Sequence, residues 1–327
     1  MNPADGDAID FAREGPIAAD RIRSTIRETP VEFSHWLSHL SGCQVYLKLE
    51  NVQRSGSFKI RGAANFLLSL SPTEKEQGVV AASSGNHGIA VASLLADMGL
   101  PGTIFVPQNA AKAKVDALRR YDVAIEFYGE DIAATECFAR TSALKRGQTF
   151  IPPYNDARII AGQSTIGIEM ARQVPDMHAV FVPVGGGGLI SGIAGYLKAH
   201  DRAIQIFACQ PANSPIMAES VKAGRIIEMN SLPTLSDGTA GGIEPDSITF
   251  EICKQHVDDY ILLSEDEISS AIRQVLEKEN MLIEGAAALT VAACIKTQAR
   301  LAGSRIVLVL SGKRIGLETL QRQVLGS

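Results

Sequence analysis

Short apolar runs, several of them without polar alternation, alternate along this chain with longer segments of helical spacing. The runs cover 79–82, 103–106, 124–128, 179–184, 204–209, 260–263 and 305–310, and the helical patterns cover 89–98, 111–120, 165–173, 189–198, 265–279 and 286–297. A strand without alternation needs apolar cover on both faces, which a sheet receives when helices pack on either side of it. The pattern predicts an α/β fold with mostly parallel twisted sheets flanked by helices. Ser264, with Glu267 three residues on, carries a capping-box signature for the helix that follows. At 327 residues the chain can bury a large core and divide into two lobes, although no change in composition marks a boundary. No repeat, coiled coil or low-complexity segment interrupts it.

Composition narrows the function classes. A net charge of −5 gives no electrostatic footprint for nucleic acid or an anionic membrane surface. No apolar run approaches the roughly 20 residues that span a bilayer. The stretch 1–7 is polar and acidic, unlike a signal peptide. Cys43, Cys137, Cys209, Cys253 and Cys294 are scattered and odd in number, with no C-x-x-C pair. They read as inert thiols in a reducing cytoplasm, not as a disulfide framework or a zinc site. Hydrophobic residues at 46% and charged residues at 20% are ordinary for a soluble globular enzyme.

Three segments carry chemistry. Ser55-Gly-Ser-Phe-Lys59-Ile-Arg-Gly62 sets a lysine behind an aromatic residue in a small-residue turn that opens a helix. A lysine amine forms a Schiff base with an aldehyde, and Phe58 can wall one face of a planar adduct; alone, the lysine reads as a solvated surface charge. Gly185, Gly186, Gly187 and Gly188 stand between a strand and a helix, where backbone N–H groups and the helix dipole favour a phosphate. The turn is neither a Walker A loop nor a dinucleotide fingerprint, since no Gly-Lys-Ser/Thr follows and Cys209 and Gln210 stand where an acidic residue is expected. Ser83-Ser-Gly-Asn-His87-Gly also joins strand to helix; it can hold a carboxylate, or Ser83, Ser84 or Asn86 can simply cap the helix.

Together with Val45-Tyr-Leu-Lys-Leu-Glu-Asn51, Ile160-Ala-Gly-Gln163 and Ser311-Gly312, these segments resemble, in order and over 21–318, the fold type II pyridoxal-phosphate enzymes of the serine/threonine dehydratase and serine racemase group. The resemblance implies a two-domain, tryptophan synthase β-like fold, with 1–77 plus 156–327 as the large cofactor domain and 78–155 as a small mobile one. It implies pyridoxal 5′-phosphate bound covalently by Lys59, packed against Phe58, held at its ring hydroxyl by Asn86, at its phosphate by Gly185–Gly188 and at its pyridine nitrogen by Ser311. Ser83, Ser84 and His87 would hold the substrate carboxylate, chiefly through backbone N–H groups. Lys59 would remove the Cα proton, and a β-hydroxy amino acid would lose water, giving a 2-oxo acid and ammonia. A homodimer is expected.

Several positions depart from the group's pattern. In its racemases a serine at Ser84 acts as acid and base on the opposite face of Cα, whereas many threonine dehydratases carry alanine there. Lys59 and Ser84 could thus be a racemase pair for serine or 3-hydroxyaspartate, and a β-replacement synthase would share the early steps. Gln210 and Ile216 stand where some relatives place acidic metal ligands, so no metal is expected. Lys313 and Arg314 replace small polar residues near the pyridine end, with side chains expected in solvent. The run 236–244 is also altered and is similar to that of hydroxyectoine-utilisation dehydratases, which points to a hydroxylated diaminobutyrate derivative as substrate.

Overall fold

The computed structural model describes residues 9–326; the polar stretch 1–7 lies outside the described residues. Its strands are β1 (Val31–Phe33), β2 (Gln44–Lys48), β3 (Val79–Ala82), β4 (Gly102–Val106), β5 (Ala124–Phe127), β6 (Thr149–Phe150), β7 (Ala179–Pro183), β8 (Gln205–Pro211), β9 (Asp259–Leu263) and β10 (Arg305–Val309). The larger sheet runs β1-β2-β10-β7-β8-β9 and the smaller β5-β4-β3-β6. β1 and β2 pair antiparallel; every other neighbouring pair is parallel.

The missing alternation has the expected cause. In β7, Ala179 and Phe181 enter one apolar cluster while Val180 and Val182 enter another on the opposite face. Ile306 and Leu308 of β10 divide from Val307 and Val309 in the same way. In the smaller sheet, Val79 and Ala81 face one cluster, and Val80 and Ala82 the other. Both faces of each central strand are covered, as parallel sheets require.

Several elements extend or escape the sequence pattern. β1, β2 and β6 are short or carry charge, and the helix Ile132–Arg146 has too mixed a polarity to stand out; the helix Phe11–Ile22 lies outside the pattern although it is amphipathic, with Phe11, Gly15, Ala18 and Ile22 buried on one face. The helix expected over 165–173 begins at Ala157, capped by the Asp156 side chain accepting from the Arg158 N–H. Its first half hides because it crosses the helix Lys59–Leu68 through glycines and polar groups. A Cβ on Gly162 would sit 2.6 Å from the Gly62 Cα. The capping box at Ser264 and Glu267 is present as expected.

Under that crossing lies a buried ionic cluster. Arg61 is 0% exposed; its Nε and Nη2 donate to the two Glu50 oxygens at 2.8 Å, and its Nη1 donates to Glu169 Oε1 at 2.6 Å. Lys48 Nζ, also at 0%, donates to Glu169 Oε2 at 2.5 Å and to the Thr29 carbonyl at 2.8 Å. Two cations meet two carboxylates, so the interior holds no net charge. Burial opposes the ionised form of Glu50, but the Arg61 guanidinium outweighs it and holds the carboxyl below its usual range. Replacing Arg61 by methionine strands two buried carboxylates against one lysine. The expected cost is about 3–5 kcal/mol of folding free energy, read as a lower urea midpoint at unchanged slope.

Candidate active site

The lysine turn is stitched to the chain leaving β10. Ser57 bridges Gly312, the Phe58 N–H donates to the Ser311 carbonyl at 3.0 Å, and the Lys313 N–H donates to the Gly56 carbonyl at 3.1 Å. Lys59 opens its helix, with Nζ 5.2 Å from the Phe58 ring centroid and donating to the Pro153 carbonyl at 2.8 Å. Burial lowers the ammonium pKa to about 8, against the opposing pull of Glu284 and Glu136. About a tenth is therefore free amine at pH 7, far more than for an ordinary lysine.

Around Lys59 stand polar atoms with no protein partner. The Ser311 hydroxyl, just beyond β10, is buried and unpaired, and so is Asn86 Oδ1 at the start of the helix Asn86–Met98. Each such atom costs about 1–3 kcal/mol if nothing meets it, so a polar ligand group is the natural complement. The glycine turn follows β7 and leads into the helix Gly188–His200, with Gly187 at φ +88° as its N-cap. A Cβ on Gly186 would lie 2.5 Å from the Tyr154 ring, and one on Gly185 would lie 2.9 Å from the Thr239 Cα. Only bare backbone fits, which leaves N–H groups at a positive helix end for an anion. These residues fit pyridoxal phosphate: a cradle for the phosphate, an amine for the aldehyde and a neutral hydroxyl for the ring nitrogen.

The second turn lies at the end of β3. Ser83 Oγ accepts the Gly85 N–H at 3.1 Å, Ser84 is half-buried, and Gly85 itself is the helix cap without side-chain help. Capping by Ser83, Ser84 or Asn86 is thus not what is found. His87 is 4% exposed, its Nε2 is 3.1 Å from the Ile151 carbonyl, and burial drives its pKa down to about 3. The ring is a neutral donor engaged with backbone. Its main-chain N–H is what it can offer a carboxylate.

The departures resolve physically. Gln210 is buried, with Nε2 donating to the Val184 carbonyl at 3.2 Å and Oε1 accepting the Ala218 N–H at 2.8 Å; Ile216 is in the apolar core. Among the described residues no group of three or more His, Cys, Asp or Glu is placed to hold a metal ion. Lys313 and Arg314 are exposed as residues, but the Arg314 side chain turns back to the lysine turn, with Nη2 donating to the Ser55 carbonyl at 2.8 Å.

Two contributors were not foreseen. Glu284 is 5% exposed, accepts from Asn86 Nδ2 at 3.0 and 2.9 Å, and accepts the Arg314 N–H at 3.1 Å. Burial raises its pKa to about 7. Its signal was available: it caps the helix Gly285–Thr297, so apolar all round that the cap cannot face water. The other is the segment 151–155, which carries the carbonyls that receive His87 and Lys59 and the Tyr154 ring that lies on the glycine turn.

The family model described as "Pyridoxal-phosphate dependent enzyme" matches residues 22–312. The chain belongs to that family. The L-threonine ammonia-lyase of Thermotoga maritima is 38% identical to this pyridoxal-phosphate enzyme over 301 residues, 92% of this chain and 75% of that one. Maize serine racemase superposes with a TM-score of 0.90 at 32% identity, covering 96% of each chain. Threonine deaminase isoform 2 from Solanum lycopersicum superposes at 0.92 and 31% identity, covering 97% of this chain and 88% of that one. As a member of the family, the chain uses pyridoxal phosphate as its cofactor.

Because only the free amine attacks an aldehyde, covalent capture of pyridoxal phosphate by the apoprotein should rise with pH and level off above the Lys59 midpoint of about 8. An ordinary lysine would keep climbing to about 10.4. Glu284→Gln removes a carboxylate that supports the ammonium, so its capture profile should move to lower pH. Stopped-flow absorbance across pH 6–10 reads both curves.

Proposed function

We propose that this enzyme eliminates water from a β-hydroxy amino acid, releasing a 2-oxo acid and ammonia. The observation that carries the reading is the Lys59 amine, held 2.8 Å from the Pro153 carbonyl and tied through its own turn to the strand end that presents the unpaired Ser311 hydroxyl. Its similarity to threonine ammonia-lyases supports elimination as the outcome.

Pyridoxal phosphate supplies an aldehyde that captures amines and a ring that accepts electron density from Cα. The chain supplies everything else. Backbone N–H groups at Ser84 and His87 orient the substrate carboxylate, since the Ser83 N–H is engaged by the Phe105 carbonyl at 3.0 Å, and Asn86 and Phe58 would hold the ring in register. Lys59 would take the proton from Cα at its Nζ; its lowered pKa suits a base working near neutrality. A neutral Ser311 at the ring nitrogen does not enforce protonation there. A ring left unprotonated would store less charge from Cα, which would favour loss of the β-hydroxyl.

The large lobe is taken as 1–77 with 156–327, and the small mobile lobe as 78–155; all four strands of the smaller sheet fall between 79 and 150. The loop 236–244 lies against the glycine turn, with Thr239 behind Gly185 and its hydroxyl 2.6 Å from Ser236 Oγ. Its altered sequence supports a substrate longer than threonine, such as a hydroxylated diaminobutyrate derivative from hydroxyectoine. Five free cysteines, four of them buried, support a reducing cytoplasm, and the family resemblance supports a homodimer. No helix of the described residues is long and apolar enough to cross a membrane. Racemisation through Lys59 and Ser84 is the second reading, favoured by Ser84 itself and by the likeness to maize serine racemase.

Purified enzyme with pyridoxal phosphate should release ammonia and 2-oxo acid from one of L- or D-serine, L- or D-threonine, 3-hydroxyaspartate, phenylserine or a hydroxylated diaminobutyrate derivative. Lys59→Ala should abolish release, and Ser84→Ala should retain it. Loss of enantiomer exchange in Ser84→Ala, with no release from any substrate in the wild type, would instead assign a racemase.

A further inference from the structure

The segment that receives the Lys59 amine is tied through Asn155 to a cluster of three charged side chains that the chemistry above leaves without a role. Beyond the Pro153 carbonyl, Tyr154 covers the glycine turn, and its hydroxyl accepts the Glu244 N–H at 2.9 Å. Asn155 Nδ2 donates to Glu244 Oε2 at 2.9 Å, while Asn155 Oδ1 accepts the Ile248 N–H at 3.0 Å. The remaining Glu244 oxygen, Oε1, accepts from Arg140 Nη2 at 3.0 Å. Arg140 in turn gives Nη2 and Nε to Glu136 Oε1 at 2.6 and 3.1 Å, and the Phe150 ring lies 4.4 Å from its guanidinium carbon. All three charged residues are half-buried. Glu136 is near enough to act electrostatically on the Lys59 ammonium.

We propose that Glu136, Glu244 and Arg140 form a specificity filter that rejects β-hydroxy amino acids carrying a second carboxylate and admits those with neutral or cationic side chains. This rests on the assignment of the Lys59 site as the amino-acid site. A guanidinium captures a carboxylate best along an edge that offers two parallel N–H groups. The Nε–Nη2 edge of Arg140 is already occupied by Glu136, and Nη2 is shared with Glu244. Two carboxylates face one guanidinium, so an incoming anionic side chain meets net negative charge and finds no free fork.

Both acids hold positions that a neutral amide can fill. Glutamine at 244 keeps an acceptor for Arg140 or Asn155, and glutamine at 136 keeps one for Arg140. The filter's charge can therefore be removed while the hydrogen-bonded frame stays. At several ångströms in a partly wet site, each charge removed is worth about tenfold in the relative affinity for an anion. The Lys114–Asp237 ion pair at 2.8 Å ties the other end of the loop 236–244 to the helix Lys112–Leu118 and remains in place in these variants.

The test compares the holoenzyme with Glu136→Gln/Glu244→Gln. The first readout is the ratio of kcat/KM for 3-hydroxyaspartate to that for L-threonine. The second is the ratio of dissociation constants for L-aspartate and L-2-aminobutyrate, neither of which has a β-hydroxyl, titrated by the change in cofactor absorbance. Both ratios should move toward the dicarboxylic ligand by about tenfold or more, and adding Arg140→Met should reverse the gain. Unchanged ratios, or a gain that survives loss of Arg140, overturn the filter. If the double variant does not fold, the single Glu136→Gln and Glu244→Gln variants read the same ratios. The titration needs no turnover: a shift toward L-aspartate in an enzyme that dehydrates nothing sinks the dehydratase reading and keeps the filter. Dehydration with no shift does the reverse.

Discussion

A guanidinium buried where three parts of the chain meet sets the geometry of the site. Arg61 lies two residues beyond Lys59 on one helix, so the two side chains project about 200° apart. Lys59 reaches toward the Pro153 carbonyl, while Arg61 engages Glu50 from the turn after β2 and Glu169 from the helix Ala157–Gln173. A buried ion cluster adds little net stability once desolvation is counted. What it supplies is orientation. Any roll of the helix that moved Lys59 away from its partners would also pull Arg61 from two carboxylates and leave them charged in a dry interior.

With that helix fixed, the remaining parts come from strand ends. The glycine turn follows β7, the serine turn follows β3, and Ser311 follows β10, so two sheets contribute carboxyl ends to one crevice. Ligands of open α/β folds gather at such edges, because backbone N–H groups and helix N-termini converge there. The segment 151–155 then closes one side, joining His87, Lys59, the glycine turn and Glu244 through consecutive residues.

Much of this was legible in the sequence because it depended on local chemistry. Parallel strands need two apolar faces, and β3, β4, β7, β8, β9 and β10 show them as unbroken runs. Phosphate cradles need glycine between strand and helix, and both loops have it. What stayed hidden depended on distant partners. Lys48, Glu50 and Arg61 stand within quoted motifs, yet nothing local says that they face one another or Glu169. Glu284 carries a local signal in the apolar helix it precedes, but its partners Asn86 and Arg314 are distant in sequence. The first half of the helix Ala157–Gln173 conceals its period because glycine and glutamine are what a close helix crossing demands.

β10 comes from the last part of the chain and occupies the middle of the larger sheet, between β2 from the first part and β7. During synthesis, β2 and the β7-β8-β9 group must therefore wait as separate fragments, each with an open hydrogen-bonding edge. Only when residues near 305–312 emerge can the halves join and Ser311 and Gly312 dock against the lysine turn. A nascent or truncated chain short of that point has no binding site and two sticky edges, the condition in which α/β proteins depend most on chaperones. Loss of even a modest C-terminal piece should thus be felt as aggregation before it is felt as inactivity.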